Sequence, residues 1–215
     1  MLEQSACRSV GSLGNTITGL RALLRFLYLR RYTPLPLAAV PAVAARRAEA
    51  SRTLSAGQVT RLLASCDRGT AIGRRDYAIL TVLVRLGLRA GEVAALMLDD
   101  IDWRAGELVV VGKGGRRDRL PLPVDVGQAL AAYLRRGRPR GECRHVFVHA
   151  RAPYCAMGRW AVSHVVVRAC QRAGVPELRA HRLRHGAATE MHRAGAGLVE
   201  IGQVLRHRHA ATTTI

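Results

Sequence analysis

The chain has 215 residues, enough for one substantial domain and a smaller appendage. Its 34 Lys and Arg residues face only 15 Asp and Glu residues, which gives a formal net charge of +19 at pH 7. Because 49% of the residues are hydrophobic, the composition excludes a disordered basic tail, and the charge makes nucleic acid the expected partner.

The cysteines and the hydropathy of the sequence indicate the cellular compartment of the protein. The five cysteines are scattered and contain no C-x-x-C pair, so they indicate reduced thiols rather than disulfides or a zinc site. No apolar run is long enough to span a membrane, and the N-terminus has no signal-peptide pattern. An anionic membrane surface is the alternative partner, although no concentrated amphipathic basic helix favours it. We therefore expect a cytoplasmic protein.

The first predicted element is a helix over 16–31, with apolar residues at helical spacing and arginines on its other face. Three prolines between Thr33 and Val43 end this helix. A basic, alanine-rich run, 44–52, follows as a predicted linker. Because one helix cannot enclose a core, we expect 1–43 to be the C-terminal remnant of a helical domain and the chain to be a fragment.

A second unit is predicted over 53–215. Ser55 and Gln58 have the spacing of a capping box ahead of a helix. Further helical patterns cover 76–86, 90–96, 124–136, 159–173, 176–194 and 198–206. Two strand-like runs, 107–111 and 117–122, flank a glycine-rich turn and predict a hairpin. The unit is thus predicted to be mainly α with a small antiparallel β-sheet (α+β).

The first candidate site is the segment 86–92 (LGLRAGE), where one helix is predicted to end and another to begin. An arginine beside the free N–H groups of a starting helix can bind a phosphate through its planar fork. Arg89 is the candidate phosphate ligand. The alternative is a surface Arg89 that pairs with Glu92.

The second candidate is Lys113, the only lysine in the chain, at the tip of the predicted hairpin. Lysine can give up a proton when its pKa is lowered, whereas arginine keeps its proton at any relevant pH. Arg116, Arg117 and Arg119 follow it and are candidate ligands for DNA phosphates. The alternative is an ordinary solvated turn.

The third candidate is the segment 181–185 (HRLRH). His181 and Arg184 are three residues apart on a predicted helix, so both can address one phosphoryl group. His185, four residues after His181, leaves a metal site open as an alternative, although no acidic residue stands nearby in the sequence. By itself, the basic cluster around His207 would indicate only a charged segment at the protein surface.

In this order, four motifs resemble those of the tyrosine recombinase/integrase family: LGLRAGE, GKGGRRDRLPL, HRLRH, and LRH ahead of ATTTI. The resemblance covers 53–215 and is strongest to transposon- or phage-type integrases. It implies the catalytic-domain fold of that family. The helix at 16–31 looks like the end of the family's core-binding (SAM-like) domain.

The resemblance implies that Arg89, Lys113, His181, Arg184 and His207 are the catalytic residues other than the nucleophile. The two arginines would stabilise the charge of the transition state, and Lys113 would protonate the departing 5′-oxygen. His181 would assist proton transfer at the attacking phenol, and His207 would hydrogen-bond a non-bridging oxygen.

In such enzymes a tyrosine attacks the scissile phosphate, forms a 3′-phosphotyrosyl bond and frees a 5′-hydroxyl. The hydroxyl of a partner strand then reverses the step, so the resemblance implies no cofactor, ATP or metal. It also implies double-stranded DNA as the partner and a synaptic dimer or tetramer of the full-length protein on DNA.

The sequence departs from the family pattern in two places. Arg206 stands where glycine is common. The nucleophile should follow His207 after eight intervening residues, and residues 208–215 are those eight. The chain has five tyrosines, all outside this motif: Tyr28, Tyr32, Tyr77, Tyr133 and Tyr154.

We therefore expect a chain that binds DNA and is defective in cleavage. Of the tyrosines present, only Tyr154 is considered as a substitute nucleophile. One alternative is a non-catalytic DNA-binding or regulatory protein on the same scaffold. The other is a metal-dependent nuclease built on His181, His185 and His207.

Overall fold

The computed structural model describes residues 10–35, 54–112, 114–193, 195–197, 200 and 202. The chain divides into two units, Met1–Ser51 and Arg52–Ile215. In the described part of the first unit, helix α1 spans Val10–Leu29 and so begins earlier than the predicted 16–31 helix. The Arg30 guanidinium lies over the Phe26 ring, 5.5 Å from its centroid. The predicted linker 44–52 lies outside the described residues.

The second unit combines helices with a small sheet, which confirms the predicted class. Its described helices are α2 (Ala56–Ala64), α3 (Ala71–Leu86), α4 (Ala90–Ala95), α5 (Val124–Arg136), α6 (Arg159–Ala173) and α7 (Ala180–Arg193). The strands are β1 (Ile101–Asp102), β2 (Glu107–Val111) and β3 (Arg117–Pro121), and they form one antiparallel sheet in the order β1-β2-β3. The two-residue β1 was not predicted, because it is too short to show an alternating pattern.

Local signals account for the ends of α2 and α3. The predicted capping box is confirmed: Gln58 N donates to Ser55 Oγ at 3.3 Å, and Ser55 N donates to Gln58 Oε1 at 2.9 Å. Helix α3 begins at Ala71 rather than at the predicted residue 76, because Thr70 caps it by accepting a hydrogen bond from Gly73 N at 3.0 Å. Its predicted end is confirmed by Gly87, whose φ of 57° only glycine adopts readily.

Helix α3 is the centre of the hydrophobic core. Ile79, Leu80 and Leu83 are fully buried on it, in one cluster with residues of the other helices and the sheet. Helix α5 packs beside α3 with opposite direction. Arg74 Nη1 donates to the Arg136 carbonyl at 3.1 Å at one end, and Arg85 Nε donates to Asp125 Oδ2 at 2.5 Å at the other. The C-terminal end of α3 therefore lies beside the start of α5.

The predicted helix 176–194 was placed too early, because α7 begins at Ala180. Gly174, with a φ of 60°, ends α6, and Val175 N donates a hydrogen bond to the Cys170 carbonyl at 3.1 Å. Val175 and Leu178 are both buried, so the connecting segment is held against the core in a non-helical conformation. Most of the predicted helix 198–206 lies outside the described residues.

Among the residues whose structure is described, no helix combines the length and the apolar character that a membrane span requires.

Candidate phosphate-binding site

A buried arginine joins the first and third motifs. Arg184, on the first turns of α7, is only 6% exposed, and its Nη1 donates to the Gly87 carbonyl at 2.6 Å. Because a buried guanidinium needs acceptors for its N–H groups, this carbonyl helps to fix where the side chain lies. Gly87 is two residues from Arg89, so the fold brings the two predicted arginines to the same end of α3.

Arg89 is the N-cap residue of α4 and is held by Glu92. Glu92 Oε2 accepts a hydrogen bond from Arg89 N at 2.8 Å, and Oε1 accepts one from Arg89 Nη1 at 2.7 Å. The Glu92 side chain is 6% exposed, whereas that of Arg89 is 46% exposed. The ion pair weighed as the alternative for Arg89 is thus formed, and it leaves about half of the arginine side chain accessible to a ligand.

His181 lies one turn before Arg184 on α7, and its ring accommodates a proton less readily than an ordinary histidine. Partial burial lowers the pKa of His181 from its usual 6.5, and the positive charges of Arg182, His185 and Arg179 lower it further. The His181 and His185 rings meet edge to face with centroids 6.1 Å apart. At neutral pH His181 is therefore uncharged and available to accept a proton.

The pH dependence of His181 provides a direct test. Because its folded-state pKa lies below the unfolded value of 6.5, the unfolded chain binds this proton more readily, and stability is lost as the pH falls below 6.5. We expect a His181 proton NMR titration with a midpoint below 6.5, and a higher midpoint in Arg182→Gln. His181→Asn should lose stability less steeply with acid than the unchanged chain. A midpoint at or above 6.5 in the unchanged chain would contradict this assignment.

The metal-site alternative finds no support in the described residues, where no group of three or more His, Cys, Asp or Glu side chains could hold a metal ion. Its third predicted member, His207, lies outside the described residues, as does Arg206. Tyr154 lies in the loop before α6 and is 42% exposed. Of the cysteines, the four that the structure describes are free thiols.

The predicted β2–β3 hairpin is formed. Gly112 N donates to the Arg116 carbonyl at 2.7 Å and closes the turn. Gly114 and Gly115 have φ values of 84° and 77°, which explains why the turn is rich in glycine. Lys113 itself lies outside the described residues.

The three arginines predicted to bind DNA are exposed and are each paired with a carboxylate. Their side chains are 79%, 66% and 74% exposed in chain order. In the Arg119 pair the carboxylate is exposed as well, so this pair contributes little to stability and can exchange its carboxylate for a phosphate, whereas the partner of Arg117 is buried. The pairs are Arg116 Nε–Asp118 Oδ1 at 2.7 Å, Arg117 Nη2–Asp100 Oδ1 at 3.1 Å and Arg119 Nη1–Glu107 Oε2 at 2.9 Å.

Two acidic residues that pair with candidate site arginines are buried, which was not predicted. Glu92 was predicted only as a surface ion-pair partner of Arg89. Its spacing from Arg89 is that of a capping box, which could have predicted the hydrogen bond that it accepts from Arg89 N. Asp100 is 5% exposed, and no sequence motif predicts its burial, because its partner Arg117 lies 17 residues farther along the chain.

Comparison with known proteins shows the family to which the chain belongs. Residues 52–215 match the phage integrase family. The chain is 47% identical over 203 residues to the integrase/recombinase y4rA of Sinorhizobium fredii, covering 92% of this chain and 49% of y4rA. It is 36% identical over 170 residues to the tyrosine recombinase XerD of Ralstonia nicotianae, covering 76% of this chain and 54% of XerD. The chain thus spans about half the length of these two relatives.

Among solved structures, the integrase of transposon Tn1549 in complex with circular intermediate DNA superimposes with a TM-score of 0.77. The match covers 95% of this chain and 74% of that chain at 17% identity, and it shows a shared fold. The chain belongs to the phage integrase family of tyrosine recombinases.

Proposed function

We propose that this chain binds double-stranded DNA and is the catalytic domain of a protein that recombines DNA at specific sites by strand breakage and rejoining. The observation that carries the proposal is the buried Arg184, held by the Gly87 carbonyl two residues from Arg89. Two guanidinium groups at one end of α3 can bind the non-bridging oxygens of one phosphodiester.

The proposed chemistry passes through a 3′-phosphotyrosyl intermediate. Arg89 and Arg184 stabilise the negative charge that grows on the phosphate oxygens in the transition state. Lys113 protonates the departing 5′-oxygen. The neutral imidazole of His181 accepts the proton of the attacking phenol, and His207 hydrogen-bonds a non-bridging oxygen. None of these roles requires a metal or cofactor.

The proposed DNA surface continues from this centre to the hairpin. The exposed guanidinium edges of Arg116, Arg117 and Arg119 neutralise flanking phosphates. Arg119 exchanges its exposed carboxylate partner for DNA, whereas Arg117 contacts DNA while it remains paired with the buried Asp100. The net charge of +19 supports a polyanionic partner. In the full-length protein, two or four copies are proposed to assemble on paired DNA sites.

The proposed nucleophile is a tyrosine nine positions after His207, and the five tyrosines of these 215 residues all precede His207. As a polypeptide of 215 residues, the chain is proposed to bind DNA without forming a covalent adduct. The second candidate, a non-catalytic DNA-binding protein on this scaffold, would use the same exposed arginines of the hairpin to bind phosphates.

The experiment compares the 215-residue chain with an extended chain, in which an added C-terminal segment places a tyrosine nine positions after His207. Both should bind a duplex, and if roughly six phosphates are neutralised, affinity should fall about 1,000-fold between about 50 and 200 mM salt. On a nicked duplex, only the extended chain should give an adduct that survives denaturing electrophoresis.

Steep salt dependence without any adduct from the extended chain would favour the non-catalytic alternative. Weak, salt-insensitive binding by both chains would contradict the DNA proposal itself. Chelator should leave adduct formation unchanged, whereas cleavage that chelator abolishes would support the metal-dependent nuclease.

A further inference from the structure

Asp100 is a buried carboxylate at the base of the sheet. It ends the 3₁₀ turn Leu98–Asp100, where its Oδ2 accepts a hydrogen bond from Met97 N at 2.9 Å. Its other oxygen, Oδ1, accepts one from Arg117 Nη2 at 3.1 Å. The Asp100 side chain is only 7% exposed. A buried carboxylate destabilises the fold unless it is paired, and the two contacts of Asp100 provide this pairing.

The contact between Asp100 and Arg117 crosses the sheet. Asp100 directly precedes β1, in which Ile101 pairs with Leu108 of β2. Arg117 begins β3 and pairs with Val111 at the far end of β2. Adjacent strands lie about 4.8 Å apart, so β1 and β3 are separated by roughly 10 Å. The Arg117 side chain therefore passes over the central strand to reach Asp100.

The turn that carries Asp100 is anchored on its other side. Leu98 N donates to the Arg144 carbonyl at 2.9 Å, and Val146 N donates to the Leu96 carbonyl at 2.8 Å. Strand β3, in contrast, lies at the edge of the sheet that the described residues form, next to β2. The Asp100–Arg117 pair thus connects an anchored turn to the edge strand of the hairpin.

We propose that Asp100 is a positioning residue: through Arg117 it sets the orientation of the β2–β3 hairpin, between whose strands the sequence places Lys113. The inference rests on the proposed function only for the role of Lys113 at DNA. The orientation of the hairpin can be tested without DNA.

The neighbouring residue provides a matched control. Asp99 also pairs with an arginine, Arg144, and Arg144 Nε donates to Asp99 Oδ2 at 3.2 Å. The Asp99 side chain is 70% exposed, compared with 7% for Asp100. Asp99→Asn and Asp100→Asn therefore make the same chemical change one position apart, on a surface pair and on a buried one.

The first experiment measures amide hydrogen exchange in the 215-residue chain without DNA. We expect exchange in strands β2 and β3 to become about tenfold faster in Asp100→Asn, with α3 and α5 unchanged and Asp99→Asn like the unchanged chain. Arg117→Gln, a change at an exposed side chain, should have the same local effect. It keeps the test valid if Asp100→Asn does not fold.

The second experiment is a double-mutant cycle on duplex affinity. Lys113→Ala should weaken binding about fivefold in the unchanged chain and in Asp99→Asn, but less than about twofold in Asp100→Asn. A role of Asp100 in stability alone would leave the effect of Lys113→Ala unchanged. The effect of Lys113→Ala is a ratio of two affinities measured in the same background. The general gain in affinity that follows the loss of an acidic charge therefore cancels.

Unchanged hairpin exchange in both Asp100→Asn and Arg117→Gln would overturn the proposal, as would an undiminished Lys113→Ala effect in Asp100→Asn. If Lys113→Ala has no effect in any background while hairpin exchange accelerates as expected, the proposed role of Lys113 at DNA fails. Asp100 then still positions the hairpin.

Discussion

Arg184→Ala is expected to lower the rate of DNA cleavage by about 100-fold or more in the extended chain that carries a tyrosine nine positions after His207. The side chain is buried and donates to the Gly87 carbonyl at 2.6 Å, so water or another residue cannot readily replace its charge at the phosphate. The measurement is single-turnover formation of the covalent adduct on a nicked duplex.

Two further variants separate catalysis from folding. Arg184→Ala also leaves the Gly87 carbonyl without this donor, which should cost about 1–3 kcal/mol of unfolding free energy. Arg184→Lys keeps a positive charge but loses the planar fork, and it should recover stability better than rate. Arg193→Ala, at the exposed end of α7 where Arg193 pairs with Glu190 at 2.7 Å, should change neither. Adduct formation at the unchanged rate in folded Arg184→Ala would refute the proposed role.

Lys113→Arg is expected to leave duplex affinity within about twofold and to lower the cleavage rate by about 100-fold or more. Arginine retains the positive charge that binds phosphate, but it holds its proton too tightly to pass it to a departing 5′-oxygen. The comparison therefore isolates proton transfer from charge, which Lys113→Ala cannot do.

The control for Lys113→Arg is a substrate with sulfur in place of the bridging 5′-oxygen. A thiol has a pKa of about 8.5 and leaves as an anion, so it requires no proton donor. On this substrate Lys113→Arg should cleave at nearly the rate of the unchanged extended chain. A similar deficit on the oxygen and sulfur substrates would show that Lys113 acts by some means other than proton donation.

Local chemistry explains why much of the fold could be predicted. The capping box at Ser55, the glycine that ends α3 and the glycine-rich turn between β2 and β3 each involve residues within a few positions of one another. Helices α5 and α6 match their predicted ranges for the same reason, since their apolar periodicity is continuous. Where the local pattern was weak, as for β1 and for the start of α7, prediction failed.

Motifs and periodicity within short segments were thus sufficient to predict the class of fold and the family, and they provided five candidate catalytic residues. Which side chains meet depends instead on tertiary packing. Arg184 and Gly87 are 97 residues apart, and the packing of α7 against α3 brings them into contact. Asp100 and Arg117 meet because the register of the sheet sets them on one face across its central strand. Such contacts depend on how whole elements pack, and no pattern of neighbouring residues encodes them.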